Sequence, residues 1–265
     1  MSGTDRLFTD GDAYERVIGR WSRVVGKTFL GWLGVPNGLR WVDVGCGNGA
    51  FTEELIALCA PAAVTALDPS GDQLAYARKR PGTKMADFRA GDAQALPLGD
   101  DSFDVAVMAL VIPFLPDPAK GIAEMARVVR PGGWIATYMW DLPGGGPPNG
   151  PVSAVARSMG MTPQSLPNPA ASGREAMQAL WERAGLDAIT TRVIRIPITY
   201  ASFDDFWESN SLPAGPTGTM IHGLPPSERE RLRTRLREQI PISADGRVIH
   251  DAWANAVKGQ VPVSS

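Results

Sequence analysis

The chain has 265 residues, 44% of them hydrophobic and 20% charged, with 26 Lys plus Arg against 28 Asp plus Glu and a net charge of −2. This length holds one large domain or a core with an appendage, and the near-neutral balance argues against a protein held on nucleic acid by bulk electrostatics. Cys46 and Cys59 are too few for a disulfide framework. No apolar run approaches the roughly 20 residues that span a bilayer, and the polar, acidic start MSGTDRLFTDGDAYER is not a secretory signal. The expectation is a cytoplasmic protein in a reducing compartment.

Residues 1–10 are polar. From about Asp12 to Leu33 the spacing is helical, with Tyr14, Val17, Ile18, Trp21, Val24, Val25, Phe29 and Trp32/Leu33 recurring at three and four. Gly34-Val35-Pro36-Asn37-Gly38 ends that helix, and Gly19 within it marks a break or a close approach. Leu39 to Val44 is a short apolar strand. It runs into Gly45-Cys46-Gly47-Asn48-Gly49, and a helix follows from Ala50 to Ala60. A second strand, Ala62 to Leu67, ends at Asp68, and Pro69-Ser70 opens another helix. Met85 to Ala90 is a third strand, closed by Gly91-Asp92-Ala93. Phe103 to Val111 is a fourth, strongly apolar strand. A helix from Pro118 to Val129 leads to the turn signal Pro131-Gly132-Gly133 and a fifth strand, Trp134 to Trp140. Repeated strand–helix alternation with apolar strands indicates a parallel sheet covered on both faces. Right-handed crossovers then bring Asp43, Asp68, Asp92 and Met108 to one edge.

Asp141 to Pro151 is a glycine/proline break, after which the pattern loosens. Helices are expected over Ser172–Ala184 (Met177, Leu180 and Trp181 inward), Ser202–Ser209 and Pro226–Ile240. A strand within Leu186–Tyr200 has Val193 and Ile194 as core, and the stretch GRVIHDAWANAVKG is a final strand able to run antiparallel beside it.

Three features at the predicted edge carry chemistry. The glycine turn is spaced G-x-G-x-G, not the G-x-G-x-x-G of a dinucleotide site; by itself it is either a ligand cradle at a helix N-terminus or a tight connection. Asp68 stands where a carboxylate grips a ribose diol, or where it caps a helix in competition with Ser70. Asp92-Ala93 can accept an adenine amine and donate to a ring nitrogen, or be an ordinary turn.

Together VDVGCGNG (42–49), ALDPS (66–70), GDAQALPLGDDSFDVAV (91–107) and EMARVVRPGGWI (124–135) resemble the core of the class I S-adenosylmethionine-dependent methyltransferases, in the branch of quinone-biosynthesis and small-molecule enzymes, over residues 39–140. The resemblance implies an α/β, Rossmann-like doubly wound fold: a seven-stranded, mainly parallel sheet with its last strand antiparallel. It implies a helical lid at 1–38, a cofactor core at 39–140, and a C-terminal half at 141–265 with cap segments near 141–170 and 201–245. The cofactor it implies is S-adenosyl-L-methionine, with S-adenosyl-L-homocysteine as the product. The amino-acid end would lie on Gly45, Cys46, Gly47 and Gly49, the ribose on Asp68, and the adenine at Gly91, Asp92 and Ala93. Pro69, Ser70, Gln73, Met108, Ala109 and Leu110 would complete the pocket, with Asp43 orienting the turn or the cofactor amine.

AYERVIGRWSR (13–23) resembles the leader of one subgroup of these enzymes, with Ile18 at a methionine position. As a lid, Arg20 would pair with the cofactor carboxylate and Tyr14 and Trp21 would cover the sulfonium; otherwise Trp21 is core and Arg20 a solvated charge. Pro113-Phe114 replaces the polar pair common after the fourth strand, which implies an apolar substrate mouth. No base is obvious: His222, in a glycine/proline stretch, is the one catalytic candidate, and Cys46 reads as a turn residue. Tyr200, Phe203, Phe206 and Trp207 wall an acceptor or pack the core. The pattern calls for no metal, no nucleic acid and no membrane span. The expected function is methyl transfer to O, N or C of a small, fairly apolar acceptor. The alternatives are a non-catalytic cofactor-binding subunit of the same fold and, less consistent with the glycine spacing, a nicotinamide oxidoreductase.

Overall fold

The computed structural model describes residues 19–263. Tyr14, Val17 and Ile18 lie outside the described residues. Nineteen elements follow in the order α1 (Arg20–Leu33), β1 (Arg40–Val44), α2 (Ala50–Cys59), β2 (Ala63–Asp68), α3 (Gly71–Ala77), a 3₁₀ turn (Pro81–Thr83), β3 (Ala86–Ala90), β4 (Phe103–Ala109), a second 3₁₀ turn (Ile112–Phe114), α4 (Pro118–Val128), β5 (Val129–Trp140), α5 (Gly150–Ser158), a third 3₁₀ turn (Pro169–Ser172), α6 (Arg174–Arg183), β6 (Asp187–Tyr200), α7 (Phe203–Ser211), α8 (Gly215–His222), α9 (Pro226–Gln239) and β7 (Val248–Gln260).

The strands form a seven-stranded sheet in the order β3-β2-β1-β4-β5-β7-β6. Pairs from β3 to β5 are parallel. β7 runs antiparallel to both β5 and β6, with Val193 opposite Asn255. This is the Rossmann-like arrangement expected, with the chain reversing across β7. The central strands are buried on both faces: Trp41, Val42 and Val44 of β1 and Val105, Ala106, Val107 and Met108 of β4 are all inaccessible.

α1 ends where expected. Gly34 adopts φ 64°, and its N–H bonds to the Leu30 carbonyl. Its buried face differs from the predicted one. Ser22, Val25, Gly26, Phe29, Leu30 and Leu33 point inward, whereas Val24 is 44% exposed. Gly19 is the residue that precedes α1, and a close approach occurs at Gly26. A Cβ there would lie 3.1 Å from Tyr138 Oη and 3.3 Å from Phe51 Cδ2, so glycine lets α1 settle on the sheet.

Two strand boundaries also differ. β4 stops at Ala109 because Leu110 turns into the left-handed region (φ 62°) and donates its N–H to the Tyr138 carbonyl. Pro131-Gly132-Gly133 is not a turn before β5 but an irregularity within it, with a register shift against β4. Gly132 N–H donates to Val261 O, and Val261 N–H to Gly133 O, so this stretch is held as strand by β7's continuation.

At the amino ends of the strands, Asp104 accepts from the Arg40 and Arg130 side chains. Burial works against its charge, but these bonds outweigh it and hold the carboxyl well below the usual range. That edge is pinned by ion pairs. The opposite edge opens into a cavity.

Candidate cofactor and acceptor site

The glycine turn is a set of backbone bonds from β1 to β2. Gly45 and Cys46 donate to Leu67 O at 2.8 and 2.9 Å. Gly47 N–H donates to Asp68 Oδ2 and Ser70 N–H to Asp68 Oδ1, both at 2.9 Å. Asp68 therefore does not cap α3. Ser70 does, accepting from Gln73 N. A carboxylate has about four acceptor sites, so Asp68 keeps roughly two for a ligand. Burial raises its pKa, and the bonds from Ser70 and Gly47 work the other way.

The glycines have distinct physical roles. Gly45 (φ 77°) is packed: a Cβ would lie 2.5 Å from Val111 Cγ2. Gly49 (φ 77°) opens α2 and lies against Ala77, where a Cβ would sit 2.9 Å from its methyl. Gly47 (φ 51°) faces open space, with nothing within 4 Å. It is the glycine that leaves the backbone bare toward the cavity. From behind, Arg80 Nε donates to Asn48 O and its guanidinium pairs with Glu53 at 3.0 Å. Sequence reading did not single out that clamp, because Arg80 comes from beyond α3.

Asp43 is inaccessible at the base of the turn. Its Oδ2 accepts from Thr52 Oγ1 at 2.7 Å, while Oδ1 has no hydrogen-bond partner. Burial, opposed by the Thr52 bond and aided by the nearby Asp68 charge, pushes its pKa up to about 7. It lies beneath the cavity lining, not in it. Cys46 is buried, and burial together with the charges of Asp43 and Asp68 pushes its thiol pKa far up. It is no nucleophile.

The loop after β3 is held by two side chains of α4. Glu124 Oε2 accepts from Leu96 N at 2.8 Å. Arg127 donates to the carbonyls of Leu96 and Leu98 and pairs with Glu124 and Asp100. This explains why the 91–107 and 124–135 blocks occur together: the second staples the first. Asp92, exposed, accepts from Gln94 N at 2.8 Å, and Ala93 is buried beside it.

A cavity of about 1300 Å³ opens over this edge. Of the expected residues, Gly45, Cys46, Gly47, Asp68, Pro69, Ser70, Gln73, Gly91, Asp92, Ala93, Ala109 and Leu110 line it. Met108 and Gly49 do not. Met108 is inaccessible in the core, and Gly49 packs on α3. Tyr14 lies outside the described residues. Arg20 and Trp21 also do not line it: the Arg20 guanidinium stacks on the Trp21 and Tyr200 rings at 4.5 and 5.0 Å. A helix turn of about 100° per residue explains the displacement. Gly19, Ser22, Arg23 and Gly26 face the cavity instead.

The far wall consists of Phe114, Leu115, Pro116, Met139, Trp140 and Leu142, closed by 162–170 and by Gly215–Thr217. Asn168 ties the strap down, its side chain donating to Leu115 O and Pro116 O. The expected apolar mouth after β4 is present. Tyr200, Phe203, Phe206 and Trp207 pack together in the core, with Tyr200 and Phe206 edge-on at 5.1 Å. His222 is exposed at the end of α8, away from the lining.

A family model described as a methyltransferase domain matches residues 42–137, the stretch that supplies the turn, Asp68, Asp92 and the Glu124–Arg127 staple. Among curated relatives, the chain is 44% identical over 116 residues to 2-methyl-6-phytyl-1,4-hydroquinone methyltransferase 2 of Oryza sativa subsp. japonica, covering 39% of this chain and 33% of the relative. It is 37% identical over 128 residues to demethylmenaquinone methyltransferase of Renibacterium salmoninarum, covering 48% and 51%. The chain thus spans about half or less of the length of these relatives. In fold it is similar to phosphoethanolamine N-methyltransferase 2 of Haemonchus contortus, solved in complex with S-adenosyl-L-methionine (TM-score 0.60, 16% identity, 99% of this chain and 60% of that one). Residues 138–263 lie outside the family match.

Proposed function

We propose that the chain transfers the methyl group of S-adenosyl-L-methionine to O, N or C of a small, largely apolar acceptor. The observation that carries this reading is the single cavity of about 1300 Å³ running from Gly47 and Asp68 to the Phe114–Leu142 wall. Small-molecule sites typically occupy about 300–1,000 Å³, so this one has room for a cofactor and an acceptor side by side. When bound, the cofactor supplies an electrophilic sulfonium methyl.

The residues present fit that group. Gly47 leaves the backbone open for the amino-acid end, and Arg23, which lines the cavity where Arg20 does not, is assigned to its carboxylate. Asp68 retains acceptor sites for ribose hydroxyls while its backbone bonds hold it in place. Asp92 and Ala93 are assigned to the adenine. The chain's remaining task is to align the acceptor and exclude water, and alignment of this kind can contribute on the order of 7–11 kcal/mol. No general base is assigned. The acceptor atom must then be a nucleophile without one or lose its proton to solvent. Segment 141–170 is proposed as the acceptor cap; of the predicted 201–245 cap, only 215–217 reach the cavity.

Calorimetry with S-adenosyl-L-methionine, S-adenosyl-L-homocysteine and NAD tests the reading. Binding of the first two without NAD supports it, and tight NAD binding without the others overturns it. A labelled-methyl assay over phenols, amines and quinols then reads the acceptor atom.

A further inference from the structure

The acceptor half of the cavity is largely apolar, its polar side chains being Thr162, Gln164, Ser165 and Thr217 on the closing segments and a row along one helix. α5 presents Asn149, its N-cap residue, together with Ser153 and Arg157 to the cavity. These positions are four residues apart, so helical geometry stacks them along one face, spanning about 12 Å at 1.5 Å per residue. Neighbouring faces do other things. Val152 and Ala156 are buried in the core, and Ala154 and Ser158 face a separate groove against α9. The row is therefore a continuous polar rail on a largely apolar wall, and accessibility rises along it: Asn149 is buried, Ser153 half-buried and Arg157 exposed. Ser153 is fixed by a 2.8 Å hydroxyl contact with Thr217 on α8.

The charge at its outer end stands alone. The Arg157 side chain makes no hydrogen bond or ion pair among the described residues. The acidic residues of the lining, Glu54, Asp68 and Asp92, are all at the cofactor end. Among the described lining residues from 109 onward there is no carboxylate, and Arg157 is the one charge. An apolar chamber with a lone guanidinium at its mouth disfavours cations, and it favours an apolar body ending in a group that the planar fork can hold.

We propose that the acceptor carries an anionic group, a carboxylate or a phosphate, that is held by Arg157 at the mouth while its apolar body lies along the α5 rail toward Asn149. This rests on the methyltransferase reading for the word acceptor, but the binding site itself does not. Arg157 is a positioning residue here: it anchors the end of the molecule remote from Asn149.

The test uses eight-carbon probes with different heads, octanoate, octyl phosphate, octanol and octylammonium, titrated into the protein without cofactor at low and at 0.5 M salt. The expected result is that one or both anions bind about tenfold more tightly than octanol and octylammonium, with the preference weakened by salt. The tighter of the two anions names the head group. Arg157→Lys should keep most of the preference and Arg157→Gln should abolish it. Equal binding of octanol and the anions, or an unchanged preference in Arg157→Gln, overturns the proposal. S-adenosyl-L-homocysteine is titrated separately into the same variants. Its failure to bind wild-type protein would remove the methyltransferase reading and leave the anion preference to stand or fall alone. A loss of its binding in Arg157→Gln comparable to the loss of anion binding would place Arg157 on the cofactor and also overturn the proposal.

Discussion

The two ends of the cavity are built in opposite ways. At the cofactor end, each wall is a short turn at the carboxyl end of a parallel strand, and fixed partners hold it: Leu67 and Asp68 for the glycine turn, Glu124 and Arg127 for the loop after β3. At the acceptor end, the walls come from long connections rich in proline and glycine, brought together from 111–116, 139–170 and 215–217. Their polar groups are fewer, and one of them, Arg157, is left facing the opening. The difference shows how one fold can hold one cofactor and many acceptors: the strand edge is a rigid frame, and the connections are free to vary.

If the cofactor end is a rigid frame, its largest single loss should follow Asp68→Ala. That change removes the carboxylate that accepts from two backbone N–H groups and the proposed ribose ligand. Bonds to charged groups contribute about 1.5–3 kcal/mol each, so S-adenosyl-L-homocysteine affinity should fall by about a hundredfold or more in calorimetry. Affinity within threefold of wild type would remove the ribose assignment.

The two glycines separate frame from ligand surface. Gly45→Ala places a Cβ 2.5 Å from Val111 at φ 77°, and should destabilise the fold by about 2–4 kcal/mol in urea denaturation. Gly47→Ala meets open space, so stability should drop by only about 1–2 kcal/mol while cofactor binding suffers more than the fold does. Equal stability losses for the two would contradict the division of roles.

Arg127→Ala frees the loop over 94–100 and should cost about 1–2 kcal/mol, together with a several-fold weaker cofactor Kd, read in parallel melts and titrations. Unchanged affinity would mean that the loop holds its shape without the staple.

Asp43 gives a pH signature for the frame. Its folded pKa of about 7 lies above the ordinary carboxyl value near 4. Between those values the folded state holds a proton that the unfolded chain has released, so this group's contribution to stability declines as pH rises from about 4 to about 7. Asp43→Asn can still accept from Thr52 and should flatten that decline, by about 1.4 kcal/mol for each unit of raised pKa. Urea midpoints at pH 5 and 7.5 measure it, and an equal slope in mutant and wild type would refute it.

The smallest effect is expected for Arg20→Ala. Arg20 lies on Trp21 and Tyr200, outside the lining, so cofactor affinity should change less than twofold, while Arg23→Ala should weaken it at least tenfold. The reverse order would restore Arg20 to the site.

Much of the cofactor end was legible from spacing, because its determinants are local. A strand, a positive-φ turn and a helix start lie within one run of residues at 39–50, and alternation with helices places Asp68 and Asp92 on the same edge. The same local logic found β6, β7 and the buried aromatics of α7. It failed where geometry rests on a distant partner. Arg23 and Gly26, not Arg20 and Trp21, face the cavity, because the phase of α1 is set by Tyr138 and Phe51 beneath it. Gly132 and Gly133 belong to a strand because β7's continuation bonds them. Asp68 is not a cap because Gly47 and Ser70 both donate to it.

By itself the sequence determined the strand–helix alternation up to β5, the glycine turn at 45–49, and the apolar character of the stretch after β4, since periodicity and glycine spacing act over a few residues. Only the tertiary structure decided which face of α1 meets the cavity, that Asp43 is buried beneath the turn with its pKa raised, and that α5 carries its polar row across a largely apolar chamber. These depend on packing between segments up to a hundred or more residues apart, and side-chain contacts at that range leave no periodic trace along the chain.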